Sequence, residues 1–400
     1  MMEGRSGDMA LFLNSAFAKK FGYTPALVAQ APGRVNLLGE HVDYNDGPVL
    51  PVALNMAVKL AFAPTNDGVI TLHAVDLGKR VVFTVESIQE KKDKAGNNLP
   101  PWANYPAGVA WALKEAGLTV SGMQAIYTSD IPIGSGLSSS AAVEVAFAVA
   151  WQELGRWEAS RMRIAQLCQR AENAYVGVAS GLMDQFASAH GVAGKALYFD
   201  TRSLEWEPVP LPEGTALVIA NSRLPRSLAG SAYNQRRAAC EQAVKILRNY
   251  KPGIRALRDI TPVEFAAYEE FLPGEIKKRA EHVVKEIARV HSAVRALELG
   301  ETRSFGALMY AGHASLRDLY EVSTPELDIL VETARSIRGC IGARLTGAGF
   351  GGCTVNLVEE ASAPHFIEEL KIGYHNKTGR EAVVYLCQAS QGAGVWKARS

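Results

Sequence analysis

The sequence predicts an α+β protein of two domains, and three observations carry that expectation. Four hundred residues exceed what a single hydrophobic core ordinarily serves, so the length asks for a second domain. The first third of the chain is dominated by strand-like alternation, with Asn66-Asp67-Gly68 as a tight hairpin turn between two of the segments. Beyond it, strands and helices are interleaved around one strand, glycine loop and helix unit near residues 123–154, a pattern that suits mixed α+β layers. Polar and proline-rich residues beginning near Leu204 mark the division, giving domains of 1–203 and 204–400.

In chain order, residues 8–21 read as a helix with Asp8 as N-cap, Leu11, Phe12, Ala16 and Phe17 at helical spacing, and Gly22 as the stop. Strand patterns follow at 28–35, 49–62, 69–75 and 80–85. A polar loop over 89–98 precedes a helix over 102–116, whose Pro106 fits the first turn and whose Gly117 ends it. A strand at 123–128 feeds the glycine loop, and helices over 141–154 and 160–175 lead to a strand at 195–199. The second half holds a strand at 216–220, helices over 231–249, 275–298 and 305–319, and a helix opened by Pro325. A second glycine-rich segment, residues 344–353, leads into a strand at 354–358, and the final strand is 382–388. No internal repeat or low-complexity segment interrupts this order.

Composition narrows the class of protein. Hydrophobic residues make up 48% and charged residues 21%, a soluble globular balance. The net charge is +1, from 42 basic against 41 acidic side chains with no long run of either sign, which argues against nucleic acid or a membrane surface as partner. Five cysteines, far apart and without a C-x-x-C pair, do not form the pattern of a disulfide framework or a zinc site. The first residues lack the apolar core of a signal peptide, and the most apolar stretch, residues 141–151, is too short to span a bilayer and contains Glu144. A reducing cytoplasm is the expected compartment.

The chemistry centres on Pro132-Ile-Gly-Ser-Gly-Leu-Ser-Ser-Ser-Ala-Ala142. Gly134 and Gly136 lack Cβ atoms, so the backbone around Ser135 and Leu137 can turn successive N–H groups toward one point, where an anion belongs. Ser138, Ser139 and Ser140 can cap the following helix, donate hydroxyl protons or offer an oxygen to a metal, and the helix aims its positive end at the same place. This is not the nucleotide loop G-x-x-x-x-G-K-[ST], because Leu137 stands where the lysine would be. Taken alone, the same residues would also serve a plain glycine turn with a serine cap. A second polar cluster, Gly33-Arg-Val-Asn-Leu-Leu-Gly-Glu-His-Val-Asp-Tyr-Asn-Asp-Gly47, reads either as a solvated face or as fixed donors and acceptors for the hydroxyls of a sugar.

These two stretches carry a family resemblance. Residues 33–45 are similar to the sugar-binding signature of galactokinases, within the GHMP kinase superfamily; residues 132–142 resemble that superfamily's phosphate loop, and Leu345 to Gly352 its third motif. Residues 303–331 resemble a stretch shared by galactokinases and N-acetylgalactosamine kinases, so four matches in order span nearly the whole chain. The resemblance implies an N-terminal ribosomal-S5-like domain, a C-terminal ferredoxin-like domain and an active site between them. It implies transfer of the γ-phosphoryl group of MgATP to the anomeric hydroxyl of galactose, by a monomer. Sugar contacts would be Arg34, Glu40, His41, Asp43, Gly181, Asp184 and Tyr233, with Asp184 and Arg34 catalytic. ATP would lie on residues 134–140, namely Gly134, Ser135, Gly136, Leu137, Ser138, Ser139 and Ser140, with Trp102 and Tyr105 beside the adenine. Glu172 with Ser140 or Ser139 would hold Mg2+, a set of hard oxygen ligands that suits the ion.

The chain departs from the family pattern at a few points. Val42 replaces a common threonine, Gly-Ala-Gly at 347–349 replaces Gly-Gly-Gly, and Pro225, beside Arg226, stands where relatives often carry a basic residue. Galactose and N-acetylgalactosamine differ at C2, and Val42 and Ala179-Ser180 are the residues expected to tune room there. The resemblance also admits a non-catalytic sugar and ATP sensor, but the uninterrupted phosphate loop, Arg34, Glu172 and Asp184 favour the kinase. His190, His282 and His313 are expected to be structural or surface residues.

Overall fold

The computed structural model describes residues 3–224 and 229–398, so Pro225 and Arg226 lie outside the described residues. Helix α1 (Glu3–Phe21) starts ahead of Asp8, which therefore sits inside the helix and does not cap it. Leu13 and Phe17, four residues apart, take its inward face, whereas Leu11 and Phe12 are exposed. Strands β1 (Leu27–Asn36), β2 (Pro48–Val49), β3 (Pro51–Thr65), β4 (Val69–Ala74) and β5 (Lys79–Thr84) follow. Trp102 and Ala103, expected in the next helix, fall with Pro101 in a separate 3-10 turn, Pro101–Ala103, before α2 (Asn104–Glu115). Strand β6 (Gly122–Ser129) leads through the glycine loop into α3 (Ser139–Gly155), then α4 (Arg161–Arg170) and α5 (Met183–His190).

Strands β7 (Lys195–Asp200), β8 (Trp206–Pro210) and β9 (Thr215–Asn221) come next, then helices α6 (Ala229–Leu247), α7 (Pro262–Tyr268), α8 (Gly274–Glu298), α9 (Thr302–Ser315) and α10 (Pro325–Ser336). The chain finishes with β10 (Cys340–Thr346), β11 (Cys353–Glu359), α11 (Ala363–Thr378), β12 (Val383–Cys387) and β13 (Gly394–Lys397). The helices expected over 160–175 and 305–319 each break into an α-helix and a π-helical turn, Ala171–Val176 and Leu316–Tyr320. Such turns widen the helix by one residue and are frequent at functional sites.

The strands form three sheets: β13-β1-β3-β6-β4-β5, β10-β11-β9-β12 and β2-β7-β8. Only the β4–β6 pair is parallel among the described pairings. Strand β13, too short to show alternation in the sequence, pairs antiparallel with β1 from Leu27↔Lys397 to Gln30↔Gly394. Helix α3 packs on β1 and β3 with apolar residues on all sides, including Ala142, Val145, Phe147, Val149 and Trp151, which is why it lies inside and not on the surface. The four-stranded sheet is covered by α9, α10 and α11. No described helix is long and apolar enough to cross a membrane.

Candidate active site

The site begins with an irregularity in β1. The register of β1 against β3 shifts between Pro32 and Arg34, and such a bulge re-aims the side chain that follows it. Gly33 sits at the shift, where an added Cβ would lie 2.6 Å from the Leu137 carbonyl oxygen, so only glycine lets the strand approach the glycine loop this closely. The Arg34 N–H donates to that carbonyl at 3.1 Å, and Arg34 Nη1 donates to the Gly136 carbonyl at 2.7 Å. The same guanidinium holds Asp184 on α5, with Nε at 2.8 Å and Nη2 at 2.7 Å from Oδ1. Asp184 Oδ2 accepts from the Ser138 hydroxyl. One arginine therefore joins the strand, the glycine loop and a carboxylate 150 positions away in sequence.

The glycine loop has the expected backbone, with Gly134 and Gly136 at φ 73° and 84°. Ser138 occupies the N-cap position of α3 but in the left-handed region, φ 60°, where its hydroxyl makes no capping bond and donates to Asp184. Ser135 turns both its hydroxyl, at 2.7 Å, and its backbone N–H, at 3.3 Å, back to the Pro132 carbonyl, and the Leu137 side chain is buried in the core. The first N–H groups of α3 remain free of side-chain capping at this end.

Glu40, His41 and Asp43 arrive on the turn after β1. Glu40 is buried against Arg344 of β10, with Oε2 2.5 Å from Nη2, although neither atom meets hydrogen-bond geometry and both carboxylate oxygens lack hydrogen-bond partners. Arg344, with no exposure, also donates to Glu286 of α8 at 2.9 Å, and Glu286 accepts from the Gly39 N–H at 2.9 Å and from Arg289. Burial, reinforced by the Glu286 charge and opposed by Arg344, pushes the Glu40 carboxyl up to about 7. Burial acts on Glu286 in the same sense, but Arg344 and Arg289 overcome it and hold that carboxyl well below the usual range. Asp43 is pushed up to about 6, first by burial and then by the Asp184 charge, against the Tyr44 N–H and Arg34.

Arg34, Glu40, His41, Asp43, Gly181, Asp184 and Tyr233 all line one cavity of about 340 Å³. Gly181 is required by contact and not by backbone angle: a Cβ there would lie 1.8 Å from Asp43 Oδ2. Tyr233 of α6 closes the opposite side, its ring 5.3 Å from His41 and 5.4 Å from Tyr44, and burial followed by the Asp43 and Asp184 charges drives its hydroxyl well above the ordinary tyrosine value. Gly347 and Ala348 of the second glycine-rich segment complete the wall, together with Asn234 and the 177–180 segment. Val42 is not on this wall; it is fully buried, against Gly47, so it cannot shape the room as expected, whereas Ala179 and Ser180 do line the cavity.

Glu172 reaches the same cavity from the first π turn. Its Oε2 accepts from the Ser180 hydroxyl and from Gln185 Nε2, the latter at 2.9 Å, and Gln185 Nε2 also donates to the fully buried Glu144 at 2.9 Å. Burial and the Asp184 charge raise the Glu172 carboxyl, while hydrogen bonds from Ser180, Gln185 and Ser140 lower it. Trp102 packs its ring 6.2 Å from Tyr127 with Nε1 lacking a hydrogen-bond partner, and Tyr105 is half-buried, its hydroxyl raised by burial and by Glu172 and Glu144. Neither is among the residues lining the cavity.

Sequence reasoning missed Arg344, Glu286 and Gln185 as parts of this site. Glu286 did leave a signal, an acid among Val283, Val284, Ile287 and Val290 on the apolar face of α8. The histidines expected to be structural or surface residues are packed as structural ones: His190 stacks 4.3 Å from Phe186, His282 bonds Ser315 at 2.8 Å, and His313 accepts from the Leu345 N–H at 3.3 Å.

An α+β fold in which a cavity-lining carboxylate–guanidinium pair is hydrogen-bonded to an anion-ready glycine loop points to a GHMP-type kinase. The GHMP kinases N terminal domain matches residues 104–192 and the GHMP kinases C terminal domain residues 293–376, and the Methanococcus jannaschii mevalonate kinase structure has the same fold at 19% identity and TM-score 0.65, over 92% of this chain and 99% of that one. The galactokinase galactose-binding signature matches residues 15–64. Galactokinase from Roseiflexus sp. (strain RS-1) is 47% identical over 382 residues, 96% of each chain, and that of Homo sapiens 43% identical over 385 residues, 95% of each. The structure of Lactococcus lactis galactokinase complexed with galactose superposes with a TM-score of 0.90 at 35% identity, over 95% of this chain and 98% of that one. The chain belongs to the galactokinase family.

Proposed function

We propose that the chain transfers the γ-phosphoryl group of ATP to the anomeric hydroxyl of galactose, giving galactose 1-phosphate and ADP. The observation that carries this reading is the cavity itself, in which residues from separate stretches surround the Arg34–Asp184 pair at the mouth of the glycine loop. In this reading, Glu40, His41, Asp43 and Tyr233, which all line the cavity, fix the sugar. Asp184 Oδ2, which has a second lone pair beside Ser138, takes the proton from the anomeric oxygen. Arg34 offsets charge on the transferring phosphoryl oxygens, and the N–H groups of residues 134–140 with the positive end of α3 receive the phosphates. Trp102 and Tyr105 are assigned to the adenine side, and the two domains of the reading divide near residue 204.

Glu172 and Ser140 fit a magnesium ion, since a hard carboxylate and a hydroxyl stand within reach of one another. Among the described residues no group of three or more His, Cys, Asp or Glu could hold a metal, which suits an ion completed by phosphate oxygens and water. When bound, the ion would supply positive charge that offsets the charge developing on the phosphate oxygens. Glu172→Gln is expected to lower kcat by roughly 10- to 100-fold at fixed magnesium while galactose affinity changes little. Titrating magnesium against kcat and measuring galactose binding calorimetrically checks this; collapse of galactose affinity with normal magnesium dependence would make Glu172 a sugar-side residue.

The reaction is tested by sugar-dependent ADP release across galactose, N-acetylgalactosamine, a uronic acid and a pentose. The highest kcat/KM is expected for galactose, and a higher value for any other sugar overturns the substrate assignment. Gly181→Ala tests the cavity. Its Cβ must drive the Asp43 carboxylate aside, and misplacement of about 1 Å at a reacting site can cost about a hundredfold, so galactose KM should rise at least about tenfold in a folded protein. An unchanged KM would remove Asp43 from the sugar contacts. None of the five cysteines, all among the described residues, is in a disulfide, and the proposed setting is a monomer in a reducing cytoplasm.

A further inference from the structure

The hydrogen bonds behind His41 start at an atom that can only accept, which fixes one of the two ring nitrogens as a donor. His41 Nε2 lies 3.1 Å from the Ala348 carbonyl oxygen, so Nε2 carries a proton. In the neutral ring Nδ1 is then an acceptor, and the Tyr44 hydroxyl, 3.0 Å away, donates to it. With that proton so placed, Tyr44 Oη accepts from the Tyr320 hydroxyl at 2.7 Å, and Tyr320 Oη accepts from the Cys240 thiol at 3.3 Å. The alternative protonates both nitrogens of His41, turns both hydroxyls round and ends on the cysteine sulfur, which is a weak acceptor. Hydrogen bonding along the chain therefore favours the neutral ring.

The surroundings make this chain rigid. Tyr320 and Cys240 are buried, Tyr44 is half-buried, and Tyr320 sits on the second π turn with the His282 ring 4.5 Å behind it. His41 itself lies 4.8 Å from the Tyr320 ring and 5.3 Å from the Tyr233 ring, at a left-handed backbone position, φ 62°. His41 and Ala348 line the cavity, whereas Tyr44, Tyr320 and Cys240 are not among its lining residues.

We infer that Tyr44 and Tyr320 are positioning residues for sugar recognition, holding His41 as a neutral, Nε2-protonated imidazole with a fixed ring plane at the cavity wall. The inference rests on the reading of the cavity as the sugar site. A sugar hydroxyl at this wall meets an N–H shared with a carbonyl and no imidazolium charge, so removing the chain loosens the sugar without touching phosphoryl transfer.

The test uses full-length protein with 15N-labelled histidine, the His41 signals being identified by their loss in His41→Gln. Sugar-free wild-type protein should show one protonated His41 nitrogen and one hydrogen-bonded acceptor. In Tyr44→Phe the acceptor resonance should move to that of an unbonded ring nitrogen, and galactose KM should rise roughly two- to tenfold with kcat within about twofold. Tyr320→Phe, which leaves the Tyr44–His41 bond in place, should shift both readouts in the same direction by less, and serves alone if Tyr44→Phe does not fold. A doubly protonated His41 in the wild type, or a KM that stays constant while the acceptor resonance moves, overturns the inference. A wild type inactive on every sugar would refute the proposed reaction, whereas the nitrogen spectrum would still decide the polarity.

Discussion

Asp184→Asn is expected to lower kcat by at least about a hundredfold, the low end for loss of a general base, while the protein stays folded and keeps most of its ATP affinity. The substitution is nearly isosteric, and the geometry tells which way the amide faces. Arg34 directs two donors at Oδ1, so the amide oxygen stays there, and the amide nitrogen turns toward Ser138, whose hydroxyl can accept as readily as it donates. Packing is thus preserved, and what is lost is the negative charge and the site for a proton. Asp184 need not be a strong base, because the anomeric hydroxyl becomes far more acidic as its bond to phosphorus forms. Steady-state ADP release, a thermal melt and ATP titration together separate these effects. A near-normal kcat would show that Asp184 only orients the sugar and that the proton passes directly to the phosphate.

Arg344→Met should destabilise the fold by about 3–5 kcal/mol, the usual consequence of removing one partner of a buried ion pair. Arg344 has no exposure and lies between Glu40 and Glu286, so a methionine of similar length leaves two buried carboxyl groups without their shared cation. Lysine should not restore the loss, because one ammonium lacks the separate guanidinium nitrogens that meet the two acids. Denaturant unfolding of both variants beside the wild type measures this. A loss under about 1 kcal/mol for Arg344→Met would show that the acids are relieved by protonation instead, Glu40 being the candidate because it already sits at about 7.

Local chemistry was legible in the sequence where a residue's type dictates its use. Gly134 and Gly136 announced a loop of convergent N–H groups, and both adopt the left-handed backbone that this requires. The breaks at 171 and 316 were not legible because a π turn continues the apolar spacing of the helix before it, so 160–175 and 305–319 each read as one unbroken helix. The Arg34–Asp184 pair could be placed only through family resemblance, since no periodicity links positions 150 residues apart. Arg344 gave no pattern at all: its role depends on a carboxylate from β1's turn and another from α8 meeting at one strand of the second sheet. Val42 shows the limit of the resemblance itself, a change in the signature that turned out to face the core.

Strand β13 bears on how the polypeptide is synthesised. The chain leaves the ribosome from its N-terminus, and domains fold as they emerge. β1, the strand that carries Arg34, is held by β3 on one side, but its other neighbour is Gly394–Lys397. Until residues 394–397 emerge, the outer edge of β1 from Leu27 to Gln30 therefore stays unpaired, a template for any extended segment of another nascent chain. Closing that edge waits until residues 394–397 have been made, and polypeptides released before residue 394 carry it bare, which exposes them to aggregation or proteolysis.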